Sequence, residues 1–282
     1  MKYLNLGCGS KLHPAWINVD MYATNEFVIA CNFLDGIPFE DSYFDVVYHS
    51  HVLEHFSPEK GLQFVKECCR VLKPGGIIRM VLPDLERIIC EYQKNMTRFD
   101  KNDAGAEYDY DWILLELYDQ AVRNRSGGEM IKYLNDLNIK NKAYVTHRVG
   151  EIMDRPISTD IALSTIKEIE KLKLVVKTRQ KSNSSLFKKL EKLKDRILLS
   201  LLSDYKKEIY RVGEFRNNGE VHQWMYDQYS IKRLLERGGF HDIKIRTAIE
   251  SYIKDWGEFQ LDNPQENVSL FVEAIKPHSP GD

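Results

Sequence analysis

Met1-Lys2-Tyr3-Leu4-Asn5-Leu6-Gly7-Cys8-Gly9 decides how the rest of the chain is read. Lys2 to Leu6 reads as a short buried strand, and two glycines flanking Cys8 follow at once. A strand that runs into closely spaced glycines and then a helix is the nucleotide-cradling turn of an α/β fold. Glycine lets the backbone approach a ligand with no Cβ in the way, and a helix N-terminus offers free N–H groups. The third glycine of the dinucleotide fingerprint is missing, since Ser10-Lys11-Leu12 comes next.

Outward from this turn, short apolar runs predict strands near 2–6, 16–20, 27–31, 44–50 and 76–82. Ser57-Pro58-Glu59 opens a helix over 58–72, with Ser at the cap and Pro in the first turn, and Lys73-Pro74-Gly75-Gly76 ends it. Alternating strands and helices imply a parallel sheet with helices on both faces. From residue 84 to 213 the rhythm stops, and helices are expected over 84–96, 111–124, 128–137, 158–180 and 184–209. That is too long for a loop, so it reads as an inserted helical subdomain. The α/β pattern then returns. A helix starts at Tyr229 and ends at Gly238-Gly239, before strands near 240–247 and 267–275. The expected organisation is a discontinuous core over 1–90 and 214–277, with the insertion over 91–213.

Composition narrows the class. The 282 residues are 43% hydrophobic and 29% charged, as in ordinary globular proteins. No apolar run reaches the ~18 residues of a membrane-spanning helix. A strand beginning at residue 2 is expected to leave no room for a signal peptide. Five cysteines, odd in number and without a C-x-x-C, fit a reducing compartment, so the expected location is cytoplasmic. Net charge is −2, but Leu163 to Arg211 holds 14 Lys+Arg against 6 Asp+Glu. Within it Leu186, Leu190, Leu193, Ile197 and Leu201 recur at helical spacing among lysines. This basic amphipathic helix is read first as a hairpin or homodimer contact. Peripheral membrane contact through 184–202 is the minority reading. No compact nucleic-acid module accompanies the charge, so no nucleic-acid partner is expected.

The order and spacing of the motifs carry a resemblance. Gly7-Cys8-Gly9, Asn18-Val19-Asp20, Ile37-Pro38-Phe39, Phe44-Asp45-Val46-Val47-Tyr48 and Val71-Leu72-Lys73-Pro74-Gly75-Gly76 follow one another as in Rossmann-like S-adenosylmethionine-dependent methyltransferases. The closest likeness is to small methyltransferases of surface-polysaccharide and glycan biosynthesis. The resemblance covers residues 1–90 well, 214–276 fairly and the middle thinly. It implies a mostly parallel sheet with an antiparallel C-terminal edge, S-adenosyl-L-methionine as cofactor, and O-methylation of a small-molecule or glycan acceptor.

By that resemblance the backbone from Gly7 through Cys8 to Gly9 passes under the methionine part of the cofactor. Asn5 stands where the family usually has an acid. Asp20, ending the second strand, can accept both ribose hydroxyls, because two carboxylate oxygens match a cis-diol. Asn32 lies where an acid often accepts from the adenine amino group. His49 and Ser50, at the end of the fourth strand, are implied cofactor-binding residues, and the His51 to His55 stretch after them borders the cofactor and the acceptor pocket. His51-Val52-Leu53-Glu54-His55 alone is the H-x-x-E-H pattern of zinc peptidases, with both histidines on one helix face at i, i+4. The strand before it and the lack of a third motif-placed ligand argue against zinc, and no metal is assigned.

Transfer of a methyl group to a hydroxyl needs positioning and a base, and neutral imidazole suits pH 7. His55 and His222 are the leading candidates and His51 the third, with Asp84 able to orient one of them. Glu220-Val-His222-Gln-Trp224-Met-Tyr226-Asp227 interleaves polar and aromatic groups, as a sugar-binding wall does. Arg123 and Arg125, beside Gly127-Gly128, form a candidate grip for an acceptor phosphate. An RNA or protein methyltransferase, a non-catalytic binding protein of this fold and a zinc hydrolase are the rival readings.

Overall fold

A computed structural model of the chain describes residues 1–23, 25–101, 103–136, 138–149, 169, 172, 173, 194, 198–264 and 268–278. Its centre is a seven-stranded sheet. The strands are Tyr3–Leu6 (β1), Trp16–Asp20 (β2), Val28–Ala30 (β3), Phe44–Ser50 (β4), Leu72–Pro83 (β5), His241–Arg246 (β6) and Ser269–Ile275 (β7). Their spatial order is β3-β2-β1-β4-β5-β7-β6. The first five run parallel, and β7 pairs antiparallel with both β5 and β6. This is the predicted α/β class, with its antiparallel C-terminal edge.

Side-chain alternation along the strands divides two cores. One face buries Leu4, Leu6, Val19 and Val47 under the helices Pro58–Val71 (α1) and Gln228–Arg237 (α7). Both helices start as the sequence predicts. Ser57 caps α1 by accepting from the Lys60 amide, and Asp227 forms a capping box with Ser230. The opposite face has no long helix among the described residues. There Trp16, Val46, Tyr48, Val81 and Phe271 lie beneath Ile253, Trp256 and Leu261 of the segment joining β6 to β7.

Two expectations need correction. The turn after β1 does not enter a helix: residues 7–15 are turns and irregular backbone. Asparagines supply the hydrogen bonds instead. Asn5 Nδ2 donates to Asn18 Oδ1 and to Lys11 O, both at 3.0 Å, while Asn18 Nδ2 donates to His13 O and Trp16 O. Lys73-Pro74-Gly75-Gly76 is not a loop before β5 but part of it. Leu72 already pairs with Phe44, and the register slips before Ile77 meets Val46.

Between β5 and α7 the described chain is helical: Leu85–Phe99 (α2), Ala106–Leu114 (α3), a π-turn at Leu115–Asp119, Gly128–Leu134 (α4), Lys142–Val149 (α5) and Asp204–Arg216 (α6). The helix expected at 158–180, most of that expected at 184–209 and the membrane or dimer contact through 184–202 lie outside the described residues. No helix among the described residues is long and apolar enough to cross a membrane.

Candidate active site

The cleft opens outside the C-terminal ends of β1 and β4, where ligands of parallel α/β sheets bind. Its volume is about 240 Å³. The turn Gly7–Lys11 forms one wall and Ser50 with His51 the other; Asn5 and Tyr48 also line it. Gly7 and Gly9 have φ of 67° and 50°, in the left-handed region that favours glycine. The two differ in purpose. A Cβ on Gly7 would lie 2.2 Å from Val52 Cγ2, so this glycine lets the β4–α1 turn pack against β1. A Cβ on Gly9 would meet no atom within 4 Å, because its side faces open space.

Asp20 reaches the turn from the end of β2. Its Oδ2 accepts from the Gly9 amide at 2.9 Å and its Oδ1 from the Tyr22 amide at 3.4 Å. A carboxylate offers about four acceptor positions, so capacity for a diol remains. Cys8 is buried, and burial together with the Asp20 charge pushes its thiol up to about 12, leaving it neutral. Asn32 caps the short helix Phe33–Asp35, accepting from the Leu34 amide at 3.1 Å. His49 points the other way: it is 0% exposed in the core under α1, its ring 5.3 Å from that of Phe64. Burial lowers its imidazole to about 4, against the upward pull of Glu54.

Under the cleft Tyr48 donates to Asp262 Oδ1 at 2.7 Å. Asp262 in turn shares the buried Arg79 with Glu273, at 2.6 and 2.8 Å. Sequence reading counted Arg79 only as part of an apolar strand. Nothing local marks a charge whose partners lie about two hundred residues away.

The H-x-x-E-H stretch does not lie on one helix. His51 has φ of 54°, a left-handed conformation that a non-glycine rarely adopts and that marks strain. Leu53–His55 is a single 3-10 turn. His51 Nδ1 lies 3.1 Å from Glu54 Oε1, and its Nε2 lies 3.4 Å from Ser269 Oγ. Burial alone would raise the Glu54 carboxyl, but the His51 hydrogen bond and the neighbouring histidines outweigh it and hold the pKa at about 2. An ionised carboxylate only accepts, so His51 donates from Nδ1 to Glu54, and its Nε2 faces Ser269 Oγ.

His55 and His222 meet beside Glu54, their ring centroids 4.8 Å apart. The 222–224 segment is tied there by Gln223 and Trp224 amides donating to Glu54 O, at 2.7 and 3.2 Å. Burial drives the His222 imidazole down to about 4. Asp84 caps α2 through Oδ1 and faces Arg87 with Oδ2 at 3.3 Å. Among the described residues the carboxylate that orients a histidine is Glu54, not Asp84. The expected phosphate grip is also otherwise engaged: Arg123 pairs with Asp119 and Glu220, and Arg125 with Glu129.

Residues 8–80 match the model of the family described as "Methyltransferase domain". No curated protein matches the chain. Among solved structures the chain is similar to the CurJ carbon methyltransferase: 11% identity, 98% of this chain, 48% of that one and a TM-score of 0.38. It thus spans about half the length of that protein. It is also similar to a SAM dependent methyltransferase from Archaeoglobus fulgidus: 13% identity, 98% of this chain, 86% of that one and a TM-score of 0.36. Likenesses this distant carry no argument about chemistry. The strand order, the antiparallel edge and the matched segment at the glycine turn identify a Rossmann-like methyltransferase fold whose cofactor is S-adenosylmethionine.

Proposed function

We propose that the chain is an S-adenosylmethionine-dependent methyltransferase acting on a hydroxyl of a sugar or glycan-biosynthesis intermediate. The observation that carries this reading is the His51–Glu54 pair on the rim of a glycine-walled cleft at the C-terminal strand ends. The open side of Gly9 is the kind of backbone approach that such a cofactor needs. The Gly7–Gly9 backbone and Asn5 would hold its amino-acid end, and the spare acceptor positions of Asp20 its ribose. Asn32 and Ser50 would border its base. S-adenosylmethionine would supply a methyl group bonded to its sulfonium sulfur, the methyl carbon open to in-line attack from the side opposite sulfur.

The protein's own part is to position the acceptor and take its proton. Transfer would form the acceptor's C–O bond as the methyl–sulfur bond of the cofactor breaks and S-adenosylhomocysteine leaves, and His51 Nε2 would take the hydroxyl proton. Glu54, fixed and ionised against Nδ1, stabilises the imidazolium that results, as the carboxylate of a histidine dyad does. His51 is among the residues that line the cleft and His55 and His222 are not, so His51 takes the base role. Trp224, 48% exposed beside His222, offers a ring face for sugar stacking. The insertion expected over 91–213 is then the acceptor subdomain. A small-molecule or glycan acceptor at the cleft is the partner this requires.

Mass spectrometry of cell-surface glycans and their precursors, with and without the gene, tests the reading. Loss of a methyl ether in the deletion strain is expected. Unchanged glycans, with labelled methyl from S-adenosylmethionine entering RNA or protein instead, would overturn it.

A further inference from the structure

Glu54, His55 and His222 come from two distant parts of the chain and converge behind the end of β4. One potential ligand atom from each lies within 4.8 Å of the others. Glu54 is 1% exposed; its Oε1 is engaged by His51, while its Oε2 is buried with no hydrogen-bond partner among the described residues. His55 Nδ1 is buried and unpartnered in the same sense. An unsatisfied buried acceptor costs about 1–3 kcal/mol, and more when charged, so folded proteins almost always give such an atom a protein group, a water or an ion.

The donors define the kind of ion. Two imidazoles and one carboxylate suit a divalent first-row transition metal, with remaining positions open. Magnesium and calcium would need a mostly oxygen shell that this cluster does not offer. Gln120 completes the arrangement. Its side-chain amide lies 3.1 Å from each ring nitrogen of His222. Turned so that its oxygen faces the ring, it accepts one N–H and frees the other nitrogen for a metal.

We infer that Glu54 Oε2, His55 and His222 form a binding site for a divalent transition-metal ion. Glu54 then bridges, with one oxygen on the ion and the other on His51 Nδ1. The ion joins the 51–55 turn to the 222–224 segment and fixes His51 at the rim of the cleft. Binding needs neither cofactor nor acceptor, so the site stands or falls apart from the methyltransferase reading.

The test uses the full chain stripped with chelator and titrated with Zn²⁺ or Co²⁺. Equilibrium dialysis with elemental analysis gives the stoichiometry, and the visible Co²⁺ absorption reports nitrogen and oxygen ligation. One ion per chain is expected. Affinity should fall at least about tenfold in His55→Ala and in His222→Ala, as ligand loss commonly causes. It should be kept in His241→Ala, which removes an exposed histidine of β6. Where an alanine variant does not fold, His55→Gln or His222→Gln replaces it. S-adenosylhomocysteine binding by each folded variant checks the cofactor site separately. Absence of stoichiometric binding, or binding unchanged in both the His55 and His222 variants, would overturn the inference.

Discussion

Replacing His49 by leucine separates the core of β4 from its rim. The wild-type ring is fully buried, and neither ring nitrogen has a partner among the described residues. Burial holds its pKa at about 4, against 6.5 for the free side chain. In the unfolded chain the ring takes up a proton as pH falls through 6.5; in the folded chain it stays neutral down to about 4. Between those values the unfolded state binds more protons, so stability falls as pH falls and levels off below about 4. At about 1.4 kcal/mol per unit the full loss is on the order of 3 kcal/mol. Above pH 6.5 none of it is felt. His222 adds a fall of the same sign, so the diagnostic quantity is the difference between wild type and His49→Leu. Urea unfolding at several pH values, in metal-free buffer, measures it. The variant should match or exceed wild-type stability at pH 7.5 by about 1–2 kcal/mol, since two unpartnered polar atoms leave the core. It should also lose about 3 kcal/mol less between pH 7 and 4. A variant that is destabilised at pH 7.5 and keeps the wild-type slope would refute the reasoning, because the ring would then have partners worth keeping.

Three further expectations follow from the same geometry. Gly7→Ala should lower stability by about 1–3 kcal/mol, through the Val52 clash and the strained φ, and Val52→Ala should restore part of it; a thermal melt decides. A folded Gly7→Ala protein of normal stability would sink that account. Arg79→Met removes the buried counter-charge of Asp262 and one of the two cations on Glu273, which keeps Arg246, and should cost about 3–5 kcal/mol, seen as a Tm drop of about 10 °C or failure to fold. His51→Asn should slow methyl transfer roughly a hundredfold to ten-thousandfold, with S-adenosylhomocysteine affinity near that of the wild type. Equal loss of both would mean that His51 supports the cofactor wall rather than the proton.

The sequence was most legible where the signal is local. The apolar runs of β1, β2 and β4, the Ser57-Pro58 helix start and the Gly238-Gly239 stop each carry their own cause. Lys73-Pro74-Gly75-Gly76 misled because its residues are those of a turn, yet pairing of Leu72 with Phe44 carries the strand through it. The helix expected after Gly9 is absent because Asn5 and Asn18 satisfy that connection from within the sheet. In the site, Gly7 and Gly9 were visible as glycines, but that Gly7 accommodates Val52 was not. Glu54 was hardest to assign. Its partners are His51, three residues before it, and a segment some 170 residues later, and no spacing rule links the two.

The central claim is that the cleft between the Gly7–Gly9 turn and the end of β4 takes S-adenosylmethionine. Isothermal titration calorimetry of the purified full chain with S-adenosylhomocysteine, paired with a thermal melt, tests it most directly. One site per chain is expected, with a stability gain of about 2.7 kcal/mol when free ligand is a hundredfold above Kd. Asp20→Ala should weaken binding while the chain stays folded. No heat of binding and no shift in Tm at millimolar ligand would contradict the account.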